Sequence, residues 1–204
     1  MQRRARSKAS AKRFAPPRGE AGRIAVEENG TRYFADLAGG QKTGWYYDQR
    51  DNRAFMAGLA KGKSVLDAYS YTGGFGIAAA RAGATETICL DSSAPALALA
   101  EESAAANAVA IKAVKADVFE EMERLAGAKE VFDIVIADPP PFVRARKDLE
   151  PGAKAYRKLA RLSGGGHGRR ADSCCSRRAR TTSRWSALPA NARQDSHERD
   201  GARR

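Results

Sequence analysis

Val65-Leu66-Asp67-Ala68-Tyr69-Ser70-Tyr71-Thr72-Gly73-Gly74-Phe75-Gly76-Ile77-Ala78-Ala79 decides the fold of this chain. A short apolar run with an acid near its end passes into a glycine-rich turn and then into small and apolar residues: strand, loop, helix. Working outward, the same unit recurs. Val65 to Tyr69 is expected as a first strand and Phe75 to Arg81 as its helix, stopped at Gly83. Glu86 to Leu90 follows as a second strand with Ala94 to Asn107 as an alanine-rich helix, then Ala110 to Val114 as a third strand with Phe119 to Leu125 helical behind it. Val131 to Ala137 reads as a fourth strand and Ala153 to Leu162 as a last helix. Strands alternating with helices across short connections predict an α/β fold with a parallel sheet covered on both faces.

Upstream, Ile24 to Val26 and Thr31 to Ala35 flank Glu27-Glu28-Asn29-Gly30, and Asn-Gly between short apolar runs is a hairpin signal. A helix with Phe55, Met56 and Leu59 on one face follows and should stop at Lys61-Gly62. The chain therefore divides into a basic disordered arm (1–23), a hairpin with its connecting helix (24–60), an α/β domain (61–163) and a basic tail (164–204) without apolar period, also expected to be disordered. With 204 residues and net charge +12, the placement of charge matters. The arm carries eight basic and one acidic side chain, the tail ten and four, and the 140 residues between them 18 and 19. The excess thus belongs to the ends and not to the folded body. No apolar run approaches the roughly 18 residues of a membrane span, and the N-terminus lacks the apolar stretch of a secretory signal. Three cysteines, Cys89, Cys174 and Cys175, make neither a disulfide framework nor metal-ligand spacing, so no metal is expected and a reducing cytoplasm is the expected setting.

The feature that carries chemistry is an acid at or near each strand end: Asp67, Asp91, Asp117 and Asp138. In a doubly wound sheet those ends share one edge, where ligands bind. Any single one also reads as a helix cap or turn residue, but four beside a glycine-rich loop outnumber what capping requires. Gly74-Phe75-Gly76-Ile77-Ala78-Ala79 literally satisfies the dinucleotide fingerprint G-x-G-x-x-A. A pyrophosphate, however, wants N–H groups and no anion nearby, whereas Asp67 stands beside this loop. S-adenosylmethionine carries a sulfonium and an ammonium and no phosphate, so the acids attract it. Asp91 can accept both ribose hydroxyls, and Asp117 the adenine amine. Asp138-Pro139-Pro140-Pro141-Phe142 then sits where a transferred methyl would emerge, with rigid backbone and with Phe142 able to stack on a flat base.

Gln41-Lys42-Thr43-Gly44 with Asp48-Gln49-Arg50-Asp51-Asn52-Arg53, then Tyr71-Thr72-Gly73-Gly74-Phe75, then Asp138-Pro139-Pro140 with Phe142 resemble the bacterial large-subunit rRNA cytosine-C5 methyltransferases. The resemblance covers about residues 24–162. It implies a Rossmann-like class I methyltransferase sheet preceded by a small hairpin, binding S-adenosylmethionine through Asp67, Tyr71, Thr72, Gly73, Gly74, Asp91 and Asp117. Asp138, Pro139, Pro140 and Phe142 would face the target base, and rRNA would be the partner. Arg50 and Arg53 read either as cofactor or RNA contacts or as helix-surface salt bridges. Three rivals stand beside this reading: a nucleic-acid amine methyltransferase, which needs no cysteine, a non-catalytic RNA-binding protein using the basic ends, and a nicotinamide oxidoreductase.

The resemblance stops where the pattern stops. The family continues past Leu162 with a fifth strand and a Ser-Cys-Ser motif whose cysteine adds at C6, because C5 of cytosine is otherwise too weak a nucleophile. Here Cys174 and Cys175 lie in the patternless tail. With GC-rich codons chosen for Ala171 to Trp185, skipping two bases yields Leu-Leu-Leu-Leu-Ala-Ser-Cys-Ser, an apolar strand and the missing motif. The expectation is therefore a reading frame lost near Gly164-Gly165-Gly166, a sheet of four strands with an open apolar edge, and a domain that is inactive as this chain. An authentic arginine-rich RNA-binding tail is the alternative.

Overall fold

The computed structural model describes residues 22–37, 44–165 and 172–175. β1 (Arg23–Glu28) and β2 (Thr31–Asp36) pair antiparallel, with Glu28 opposite Thr31. Their turn holds Asn29 and Gly30 at φ 52° and 72°, left-handed values that Asn and Gly reach at least cost. Arg23 belongs to the strand and not to the arm, with its guanidinium 5.1 Å from the Phe34 ring centre and paired with Glu102. The outer edge of β2 is closed by a helix: Arg32 N–H donates to Asn107 Oδ1 (3.0 Å), Asn107 Nδ2 donates back to Arg32 O (2.6 Å), and Phe34 N–H donates to Ser103 Oγ (2.9 Å).

A 3-10 turn, Tyr47–Gln49, leads into α1 (Arg50–Leu59). Of the three apolar residues expected on its inner face, only Met56 is buried, while Phe55 and Leu59 stay 46% and 38% exposed. Arg53, Met56 and Ala60 turn inward instead. Both sets have helical spacing, and the choice between them falls to the buried partner that Arg53 finds, described below.

The rest is β3 (Ser64–Ala68), α2 (Gly74–Arg81), β4 (Glu86–Asp91), α3 (Ala94–Ala106), β5 (Lys112–Lys115), α4 (Val118–Gly127), β6 (Ile134–Ala137), α5 (Leu149–Gly165) and β7 (Asp172–Cys175). The parallel sheet runs β5-β4-β3-β6-β7, the doubly wound order expected of an α/β Rossmann-like fold. β7 corrects the sequence reading, which left the tail without structure and β6 as an open edge. Asp172 pairs opposite Ile134 and Cys175 opposite Ala137. Edge pairing is made by backbone groups and needs no apolar period, so pattern alone does not announce such a strand. The rest of the arm and tail, and Gln41 to Thr43, lie outside the described residues.

Strand alternation sorts the core into two faces. Leu66, Ala68, Ile88, Leu90, Val135 and Ala137 pack with Val118, Met122 and Leu125 of α4 and Leu159 and Leu162 of α5. Val65, Ile134 and Ile136 pack with Met56, Ala60, Phe75 and Ala79 on the α1 and α2 side. The hairpin adds Val26, Tyr33 and Ala35 to Trp45, Ile77, Ala100 and Ala104. Among the described residues no helix is long and apolar enough to cross a membrane.

Candidate functional site

The strand order reverses at β3, which has β4 on one side and β6 on the other, so the loops after β3 and β6 flank a crevice at the sheet's C-terminal edge. Tyr69, Tyr71 and Gly73 in the first loop have φ 63°, 50° and 74°. Two non-glycine residues in the left-handed region persist only where their surroundings over-determine them, and here the surroundings are two carboxylates and two carbonyls. Tyr71 N–H donates to Asp91 Oδ2 (2.8 Å) and Gly76 N–H to Asp67 Oδ2 (2.7 Å). Ser70 N–H bonds Leu90 O (3.1 Å) and Gly73 N–H bonds Ser70 O (2.8 Å).

Asp67 follows Val65 by two residues, so strand alternation puts it on the α2 side, beneath the first turn of that helix and only 1% exposed. It holds the loop from below. Asp91, half-buried at the end of β4, also takes Ser93 N–H on Oδ1 (2.8 Å). Asp117 is exposed and caps α4, its Oδ1 accepting from Phe119 and Glu120 N–H (2.9 and 3.1 Å). Asp138 follows β6, with its N–H 3.4 Å from Ala68 O. Pro139 is buried and Pro140 exposed.

Phe142 does not stand out toward a base. It is half-buried in an aromatic group with Tyr156 (ring centres 4.8 Å apart), Phe119 (5.7 Å) and Tyr69 (6.3 Å). Its N–H donates to Tyr156 Oη (3.3 Å). The lack of side chain at Gly152 lets α5 seat directly on this loop, since a methyl there would lie 2.9 Å from Phe142 O and collide with Val143. Phe142 thereby joins α5 to the loop after β6.

Four N–H groups of the glycine loop thus point inward onto carboxylates and carbonyls, where a pyrophosphate would need them facing outward. The acids at the edge suit a cationic nucleoside without phosphate. The profile of the S-adenosylmethionine-dependent methyltransferases matches residues 1–166. The chain belongs to that family. A ribosomal RNA large subunit methyltransferase of Deinococcus radiodurans is 43% identical over 151 residues, which are 70% of this chain and 37% of that protein. The large subunit methyltransferase I of Photobacterium profundum is 38% identical over 143 residues, 69% of this chain and 36% of that protein. A candidate methyltransferase crystallised with SAH superposes with TM-score 0.62 at 32% identity, covering 72% of this chain and 40% of that one. The chain spans a little over a third of the length of the curated relatives it matches.

Behind the loop this member of the family buries an ion pair that the sequence does not announce. Arg53 and Glu28, 3% and 4% exposed, meet through Nε to Oε1 and Nη2 to Oε2, both 2.7 Å. Arg53 Nη2 also donates to Tyr46 O (2.9 Å), and its guanidinium stacks 4.4 Å from the Trp45 ring centre. Trp45 Nε1 donates to Glu28 Oε2 (3.3 Å). Of the two open readings, neither surface salt bridge nor exposed contact describes Arg53. Arg50 is exposed, with Nε 3.4 Å from Asn29 Oδ1. A methyl on Gly74 would lie 3.2 Å from Arg53 Cδ and 3.3 Å from Trp45, so the pair backs the start of α2. Tyr46 meets Tyr71 edge-on at 6.1 Å. A signal was available in Arg53 at i−3 from Met56, on the same helix face, but its partner Glu28 lies 25 residues away.

Burial pushes the Asp67 carboxyl up to about 7, against the lowering effect of the Gly76 N–H bond, and Asp138 and Asp91 add to the rise. A carboxyl raised above its unfolded value keeps its proton in the folded state, so the contribution of Asp67 to stability is fully present below about pH 4 and is lost as pH rises to about 7. D67N should flatten that part of the stability-against-pH curve measured by urea unfolding. An unchanged slope in D67N would assign it to other groups.

Proposed function

We propose that this chain is the cofactor-binding part of an S-adenosylmethionine-dependent methyltransferase acting on large-subunit rRNA in the cytoplasm. The observation that carries the reading is the glycine loop drawn inward by Asp67 and Asp91, joined to relatives named for large-subunit rRNA methylation. Bound S-adenosylmethionine supplies an electrophilic methyl group. Asp91, fixed by Tyr71 and Ser93 N–H, keeps lone pairs for the ribose hydroxyls. Asp117 uses Oδ1 as a cap and offers Oδ2 to the adenine amine. Tyr71, Thr72, Gly73 and Gly74 shape the floor of the pocket, and Asp67 positions it. Asp138, Pro139 and Pro140 border the acceptor base, with Phe142 as the wall behind them.

The finer reading is C5 of cytosine, which needs a thiolate. Cys89 cannot supply it, because burial holds its thiol well above the ordinary range and it is completely enclosed. Cys174 and Cys175 are beside Ile136 and Ala137 in backbone register, but beyond residue 166, where the family match ends. That end point supports a reading frame lost at the glycine run. Calorimetric titration should therefore show binding of S-adenosylmethionine and none of NAD, and tritium transfer to large-subunit rRNA should be absent. NAD binding in its place sinks the proposal. Transfer giving 5-methylcytosine and abolished by C175A would put the nucleophile in β7 and overturn the lost-frame reading, while an N-methylated product would favour amine transfer.

A further inference from the structure

The near-neutral body of this protein is neutral only in sum. Residues 24–141 carry eleven basic against seventeen acidic side chains, whereas residues 142–163 carry seven against two. The second group has a geometry. Lys154, Arg157, Lys158 and Arg161 follow one another at i, i+3, i+4 and i+7 on α5, which places them on one helix face. Lys154, Arg157 and Arg161 are exposed, as are Arg144, Arg146 and Lys147 in the segment that leads into the helix. Lys154 pairs with Glu150 and Lys158 with Glu123, each at 2.9 Å. Among the described residues Arg144, Arg146, Lys147, Arg157 and Arg161 have no acidic partner within salt-bridge distance.

We propose that Arg144, Arg146 and Lys147 together with the Lys154, Arg157, Lys158, Arg161 face of α5 form the surface that holds the RNA phosphate backbone beside the acceptor base. The proposal rests on the rRNA methyltransferase reading and adds to it where the RNA lies. Three contacts on the opposite side of α5 fix the helix that carries this plate to the loop after β6: Phe142 against Tyr156, the Phe142 N–H on Tyr156 Oη, and Gly152 against the Phe142 backbone. The same loop begins at Asp138, and on the basic face Lys158 Nζ stands 5.1 Å from the ring centre of Phe119, the neighbour of Phe142, so a strand lying along that edge of α5 approaches the site. Guanidinium groups suit this task, since their planar fork matches two phosphate oxygens at once. The excess of acid elsewhere in the body repels a polyanion and leaves one face for it. Four of its cations are carried by a packed helix and hold their spacing.

The test uses the full chain and a fluorescein-labelled fragment of large-subunit rRNA, titrated at several salt concentrations. R157Q/R161Q and R144Q/R146Q should each weaken RNA binding about tenfold at low salt. Each should also lower the slope of log affinity against log salt by about 1.4, two phosphate contacts at roughly 0.7 per contact for a single strand. S-adenosylmethionine affinity and thermal midpoint should stay as in the parent chain. K112Q/K129Q, which removes the same charge elsewhere on the body, should leave RNA affinity within twofold. Equal losses in the plate and control variants, or none in either, overturn the proposal while leaving the function reading in place. Failure of the parent chain to bind the rRNA fragment overturns both.

Discussion

R53A is expected to cost about 3–5 kcal/mol of folding stability, because it leaves Glu28 buried without its counter-charge. Glu28 accepts from Arg53 twice and from Trp45 once, and the alanine removes the two charged donors together with the stacking on Trp45. Urea unfolding followed by tryptophan fluorescence should show the midpoint fall without a change in slope. The cost is mostly that of an orphaned charge, so removing both charges should restore much of it: E28Q/R53M is expected to be clearly more stable than R53A. A double variant as unstable as R53A would mean that Arg53 acts chiefly through packing against Trp45 and Gly74. R53A with the parent midpoint would mean that water reaches Glu28 in place of the guanidinium.

G76A is expected to abolish cofactor binding and to lower stability by about 1–3 kcal/mol, the range for overpacking a filled core. A methyl on Gly76 would lie 2.5 Å from Cys89 Sγ, 3.2 Å from Thr87 Cγ2 and 3.3 Å from Asp67 Oδ2. The helix start must lift away from the sheet, which stretches the Gly76 N–H bond to Asp67 and distorts the loop above it. The closest clash is with sulfur, so C89G should rescue G76A in part, both in thermal midpoint and in titration with S-adenosylmethionine. Parent-like binding by G76A alone would show that the loop tolerates the shift and that Asp67 does not set its height.

These two sites mark how far the sequence could be read. β3, the glycine loop and α2 were legible because strand period, turn chemistry and helix spacing are all local. The edge position of Asp91, Asp117 and Asp138 followed once four parallel strands were recognised. The side of the sheet that Asp67 takes is legible too, since its parity with Val65 assigns it to the α2 side. The aromatic group around Phe142 is not legible in the sequence because Tyr156, which meets its ring and accepts its N–H, belongs to the next helix. The Glu28–Arg53 pair depends on a hairpin and a helix meeting in space, and nothing in either segment's own spacing reports that meeting. β7 was missed because its evidence is hydrogen bonding along β6, which composition does not record.

The hairpin edge closed by α3 has a consequence for how the molecule meets copies of itself. Asn107 offers Arg32 one donor and one acceptor, and Ser103 takes the Phe34 N–H, so two side chains do the work of a neighbouring strand. An edge filled in this way offers no template for another chain to extend. In the separate five-stranded sheet, the four-residue β7 gives one border only a short stretch of backbone to share. Resistance to fibrous assembly at the β2 edge therefore depends on an amide and a hydroxyl carried by α3 and its C-terminal cap, two residues outside the glycine loop and the acids of the site.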